Sequence, residues 1–185
     1  MSNFLLAQIF IGISALLYGL SLLLKQKTKL LFLQIISSCF FVTQYFLLEA
    51  YIGGIVAGLE MLRSVVFYFI DKKFNTNKIR ITACVIFCVL GLVGAIFTWE
   101  SWFSILPLLG LLAVTTCLGF KNVVSLKIAC IFSALCAFAY MIFYKSYFGC
   151  ATQIFIAVIG ISGLIVYLIK NKKQNLEKND EKESV

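Results

Sequence analysis

The chain has 185 residues, 62% of them hydrophobic and 13% charged, with a mean hydropathy of +1.00 and a formal net charge of +8. Soluble domains run at about 45–50% apolar on a comparable count, so lipid, not water, must surround most of this chain. The basic excess does not read as a nucleic-acid surface either: the lysines stand in short gaps between apolar runs, the distribution of a membrane topology.

A membrane-spanning helix needs roughly 20 mainly apolar residues. Runs of that kind fall at 4–24, 30–48, 50–70, 80–98, 103–120, 124–144 and 148–169. No Lys or Arg precedes the first run, so it lacks the basic start of a signal peptide and is read as a retained helix. The second and third runs are parted only by a tight turn at Glu49, and the last two by Lys145 between Tyr144 and Tyr147. The charged stretch 171–185 is expected to be a disordered cytoplasmic tail. Of the 16 Lys and Arg residues, 14 fall in the odd-numbered gaps and the tail, Lys145 alone falls on the other side, and Arg63 lies inside a span. The positive-inside rule then puts the N-terminus outside and the C-terminus in the cytoplasm, which requires an odd number of spans.

A shift of 96 positions places Lys25 on Lys121, Ser37 on Ser133, Tyr51 on Tyr147 and Gly53 on Gly149. Each half is three helices with a basic first gap. The expected fold is therefore all-α: a polytopic membrane protein of seven transmembrane helices, as two parallel three-helix repeats joined by a linker helix (3+1+3). The divisions are 1–73 for the first bundle, 74–98 for the linker, 99–170 for the second bundle and 171–185 for the tail.

This arrangement resembles the SWEET and PQ-loop transporter superfamily and, more narrowly, the YgjV-type family of bacterial inner-membrane proteins. The residues that carry the likeness are Gln34, the run from Gln44 to Ala50, Gly53-Gly54, Arg63 and the stretch Ser104 to Pro107. The chain departs from the pattern in having Gln44 where the family would have His, and in lacking a Pro-Gln pair. The resemblance implies a multi-pass protein of the bacterial inner membrane, with a transport route between the first, second, fifth and sixth helices.

Polar residues inside spans are expensive, so they carry the functional information. Glu60 and Arg63 stand one turn apart in the third span, where their side chains can pair. The pair reads either as a coupling or substrate contact or as a structural lock. The second span presents Gln34, Ser37, Ser38 and Gln44, and the sixth presents Cys130, Ser133 and Tyr140. The first offers Ser14, Tyr18 and Ser21, and the fifth Ser104, Pro107 and Thr115. Such stripes either line a mildly polar cavity or bond helix to helix. The expected substrate-binding set is Gln44, Tyr140, Ser37, Ser133 and Tyr18. Pro107, the chain's one proline, is expected to kink its helix as a hinge. Gly54 with Gly58, and Gly160 with Gly163, read as close-packing positions, and Trp99, Trp102, Tyr144 and Tyr147 as an interfacial aromatic belt.

Seven Cys with no Cys-x-x-Cys spacing, and no His, give no metal or cofactor motif and no partnered nucleophile. An enzyme is thus not expected. The expected function is a small-solute transporter that works by alternating access between the two bundles, facilitatively. The alternative is a non-transporting receptor or partner scaffold. Its expected partners are the lipid bilayer and a small polar metabolite, with no nucleic acid; a homodimer is compatible with the sequence.

Overall fold

The computed structural model describes residues 2–48, 51–74, 76–97, 102–120, 122–143 and 147–183. The helices are α1 (Ser2–Leu23), α2 (Lys27–Leu47), α3 (Tyr51–Phe69), α4 (Asn77–Phe97), α5 (Ile105–Gly119), α6 (Val123–Phe143) and α7 (Tyr147–Glu183). A π-helical turn, Ile70–Phe74, extends α3, and a 3-10 turn, Trp102–Ser104, leads into α5. In lipid every backbone N–H and C=O must be satisfied within the chain, and helices do this segment by segment. Among the described residues six helices are long and apolar enough to cross a membrane: α1, α2, α4, α5 with its 3-10 turn, α6 and α7. The remaining one, α3, is 19 residues long and carries Glu60 and Arg63.

The outer surface is apolar, with Ile96 72% and Phe97 84% exposed, while Ser14, Ser21, Gln34, Ser37 and Thr115 are buried. This inversion is what a hydrocarbon solvent selects. The helix α7 also continues through Glu183, across the segment expected to be a disordered tail. No Gly or Pro follows Gly163, and Lys, Gln and Glu are good helix formers, so nothing local stops the helix at the end of the apolar run. Trp102 and Tyr147 are exposed as the aromatic belt requires, whereas Trp99 and Tyr144 lie outside the described residues.

Within the bundle α1, α2 and α3 pack side by side in that order, and so do α5, α6 and α7; α1 lies along α7, and α4 lies along α5. The α1–α7 seam is tight because of glycine. A Cβ at Gly163 would sit 2.6 Å from the Leu22 carbonyl oxygen, and one at Gly160 would sit 3.2 Å from the Leu22 side chain and 2.8 Å from Ile131 of α6. Gly58 is different: nothing lies within 4 Å of its Cβ position, so it does not serve the close packing expected of it, and Gly54 meets Tyr45 and Phe46 at ordinary contact distance. Glycine in a helix interior is about 1 kcal/mol worse than alanine. Gly58→Ala should therefore leave the melting temperature in detergent unchanged or higher, whereas Gly163→Ala should lower it, because the clash is with backbone. Equal shifts in the two variants would show that the seam is loose.

The large buried apolar side chains cluster at the basic end of the bundle, with Leu22, Leu30, Leu31, Phe67, Ile70, Leu118 and Leu126 in contact there. The charges at that end are also buried. Asp71, in the π-helical turn, forms ion pairs with Arg80 of α4 and with Lys27 of α2 (3.2 Å), and its side chain is only 7% exposed. Lys27 Nζ also donates to the carbonyls of Leu118 (2.9 Å) and Phe120 (2.8 Å), where α5 ends. A helix C-terminus has unpaired carbonyls and a negative dipole end, so an ammonium there is well placed. Removing one member of a buried charge cluster leaves its partners uncompensated, at about 3–5 kcal/mol. Asp71→Ala should destabilise the protein by about that much, read by denaturant unfolding in micelles; a loss below about 1 kcal/mol would show that the two cations find other partners.

Candidate functional site

A cavity of about 140 Å³ lies between α3, α4 and α5. It runs from the middle of these helices towards the end opposite the basic cluster. α3 supplies Leu59, Glu60 and Arg63; α4 supplies Phe87, Leu90, Gly91, Gly94 and Ala95; the start of α5 supplies Pro107, Leu108 and Leu111, preceded by Ser104. The cavity exists because α3 packs only lightly on α4 and α5 at this level, where small residues on α4 leave room. A Cβ at Gly94 would have nothing within 4 Å, whereas one at Gly91 would run into Leu111.

Arg63 is buried at the inner side of the cavity. Its Nη1 donates to Thr115 Oγ1 (2.8 Å) and, at 3.4 Å, to the Leu111 carbonyl, while its Nε is buried with no partner. Thr115 Oγ1 in turn donates to the Leu111 carbonyl (2.7 Å). Glu60, one turn before Arg63, is exposed at the cavity edge. The expected Glu60–Arg63 ion pair is not formed. Arg63 turns away across the bundle to α5, where the Thr115 hydroxyl and the Leu111 carbonyl accept from it; the ion pairs of the described residues are those of Asp71. Pro107 also lines the cavity, but it does not kink a continuous helix. It sits in the first turn of α5, just after the 3-10 turn, a position that proline tolerates.

The expected substrate-binding set lies elsewhere. Ser37 and Ser14 are buried against each other: their hydroxyls are 3.1 Å apart and each also donates to the other's carbonyl, at 3.1 and 2.8 Å. Ser133 packs on Gly110, whose Cβ position is 2.7 Å from the Ser133 hydroxyl. Tyr18 packs on the core beside Cys130, and Gln34 Nε2 reaches Cys130 Sγ at 3.7 Å. Gln44 is buried on α2 with its Oε1 unpartnered, and Tyr140 is half-buried on α6. None of the five lines the cavity. At the α1–α2 crossing the hydroxyls of Ser14 and Ser37 bond helix to helix.

The model of a family described as bacterial inner membrane proteins, Imp-YgjV, matches residues 5–171. The chain belongs to this family. The match and the six apolar helices together make it a multi-pass inner-membrane protein. No curated protein and no solved structure matches the chain.

Two features of the site were not anticipated. The linker helix α4 forms one wall of the cavity, and the signal for it was the run of small residues Gly91, Gly94 and Ala95 on one helical face. Lys127, counted with the loops, is fully buried in α6, its Nζ 3.5 Å from the Gly163 carbonyl and 4.9 Å from the centre of the Tyr167 ring. The hydrogen-bond pattern gives a direct test of how Arg63 is held. Leaving a buried donor unsatisfied costs about 1–3 kcal/mol, while exposed substitutions stay within about 0.5 kcal/mol. Thr115→Val should thus destabilise the protein by about 1–3 kcal/mol, and Glu60→Ala by less than about 0.5 kcal/mol. The reverse order in a thermal melt would mean that Arg63 is held by Glu60 after all.

Proposed function

We propose that the protein carries a small polar solute across the bacterial inner membrane by alternating access. The observation that supports this most is the buried Arg63 facing a cavity on one side of the bundle, while the other side is filled by packed side chains and the Asp71 charge cluster. A static scaffold has no need of an intramembrane charge beside empty space. On this reading all seven α-helices span the membrane, including α3 with its two charges. The basic end faces the cytoplasm by the positive-inside rule, so the N-terminus is outside and the cavity opens outward.

The mechanism is a 3+1+3 arrangement, like that of the SWEET and PQ-loop transporters, in which α1–α3 rocks against α5–α7 and α4 links them. Three contacts fit a 96-residue repeat. Gln34 and Cys130, which touch, are 96 positions apart. The Ser14–Ser37 crossing of α1 and α2 corresponds, 96 positions on, to the Gly110–Ser133 crossing of α5 and α6. Under that repeat the α1–α7 seam is the counterpart of the α3–α5 boundary. One is closed and the other holds the cavity, and such an asymmetry suits a single state of an alternating cycle. The mode is facilitative: the chain has no His, and among the described residues Glu60 is the one carboxylate lining the cavity.

Uptake by proteoliposomes tests the proposal, with a panel of radiolabelled amino acids, sugars, nucleosides and vitamins. At least one solute should equilibrate faster than in empty vesicles. Gly94→Phe, which fills the cavity without touching the charge cluster, should abolish that flux and keep the melting temperature. Flux unaffected by the cavity-filling change, or no flux across the panel, overturns the transport reading.

A further inference from the structure

We infer that the solute is a small zwitterion, its carboxylate on the Arg63 guanidinium and its ammonium group on Glu60; this rests on the transport reading only in treating the cavity as a solute site. The two charges share one cavity, stand one helical turn apart and do not pair with each other. Residues three apart on a helix have their Cβ atoms about 5–6 Å from one another, so one small molecule in the cavity can reach both side chains at once. Each simpler ligand class leaves something unmatched. A lone anion would suit Arg63 but face Glu60, and a lone cation the reverse. A neutral solute would leave the buried Arg63 charge without a counter-ion, which is costly where the walls are apolar.

The depths of the two residues add direction. Arg63 is 8% exposed and its Nε is unpartnered, so a planar carboxylate can complete the guanidinium fork at the closed inner side. Glu60 is exposed, so the ammonium pole lies nearer the mouth. The remaining walls are Leu59, Phe87, Leu90 and Leu108, and the volume is about 140 Å³. They leave room for a short apolar substituent and none for a third charge. The substrate class is therefore a small neutral amino acid or a close analogue.

Binding to the full chain in detergent decides the matter, with three probes of equal size: alanine, lactate, which lacks the ammonium group, and alaninamide, which lacks the carboxylate. Alanine should bind about tenfold or more tightly than the other two, because it alone makes both charge-assisted contacts. Glu60→Gln, an exposed change, should bring alanine down to the level of lactate and leave lactate no weaker. Gly94→Phe should abolish binding of all three. Equal binding of the three probes, no alanine binding at all, or alanine binding indifferent to Glu60→Gln overturns the inference. Transport of a sugar without alanine binding would sink the zwitterion and spare the carrier; alanine binding without any flux would do the opposite.

Discussion

The arrangement hangs on a buried carboxylate. Asp71 stands where α3 passes through its π-helical turn towards α4, and it holds Arg80 of α4 and Lys27 of α2 at once. Through Lys27 the same cluster reaches the end of α5. Four helices are thus fixed at one level by one acidic side chain. Around it the bulky apolar residues close, because the two buried cations Lys27 and Arg80 have a carboxylate between them. A π-helical turn widens the backbone by one residue and occurs most often where a side chain must be re-aimed. Here it accompanies the presentation of Asp71 to two cations.

With one end closed, the other is free to differ. Glycines on α7 let α1 approach until backbone meets backbone, and the two halves of the chain are joined along that seam. Gly94 on α4 has the opposite consequence: a Cβ there would have nothing within 4 Å. The same residue type therefore seals one boundary and opens another, according to whether a neighbouring helix fills the room it leaves. Arg63 bridges the open boundary to Thr115, so the cavity is spanned by a hydrogen bond and not by packed hydrocarbon. A boundary of that kind can be remade without exposing much apolar surface.

The helices were legible in the sequence because most of them are long apolar runs, and each expected span matches a helix to within a few residues except at the end of α7, which runs on to Glu183. Glu60, Arg63, Ser104 and Pro107 also reached the cavity wall, since polar residues and proline at span depth are rare enough to stand out. What each does was not legible. Glu60 and Arg63 have the spacing of a pair, but the spacing says nothing of Thr115, which competes for the guanidinium from another helix. Ser14, Ser37 and Ser133 had the periodicity of a lining, yet periodicity gives a face and not what the face meets. Asp71 could have been noticed: it is the one acidic residue in the basic gaps before the tail. Lys27 and Lys127, read as loop residues, turned inward: Lys27 to the carbonyls at the end of α5, and Lys127 to the Gly163 carbonyl and the Tyr167 ring of α7.

The order in which the chain is made gives the Arg63 contact a further meaning. Thr115 follows Arg63 by 52 residues, and Phe120 follows Lys27 by 93. At roughly 5–20 residues per second of synthesis, α3 waits for several seconds with a cation that nothing yet completes. The packing of α3 is thus provisional until α5 arrives with the Thr115 hydroxyl that completes it.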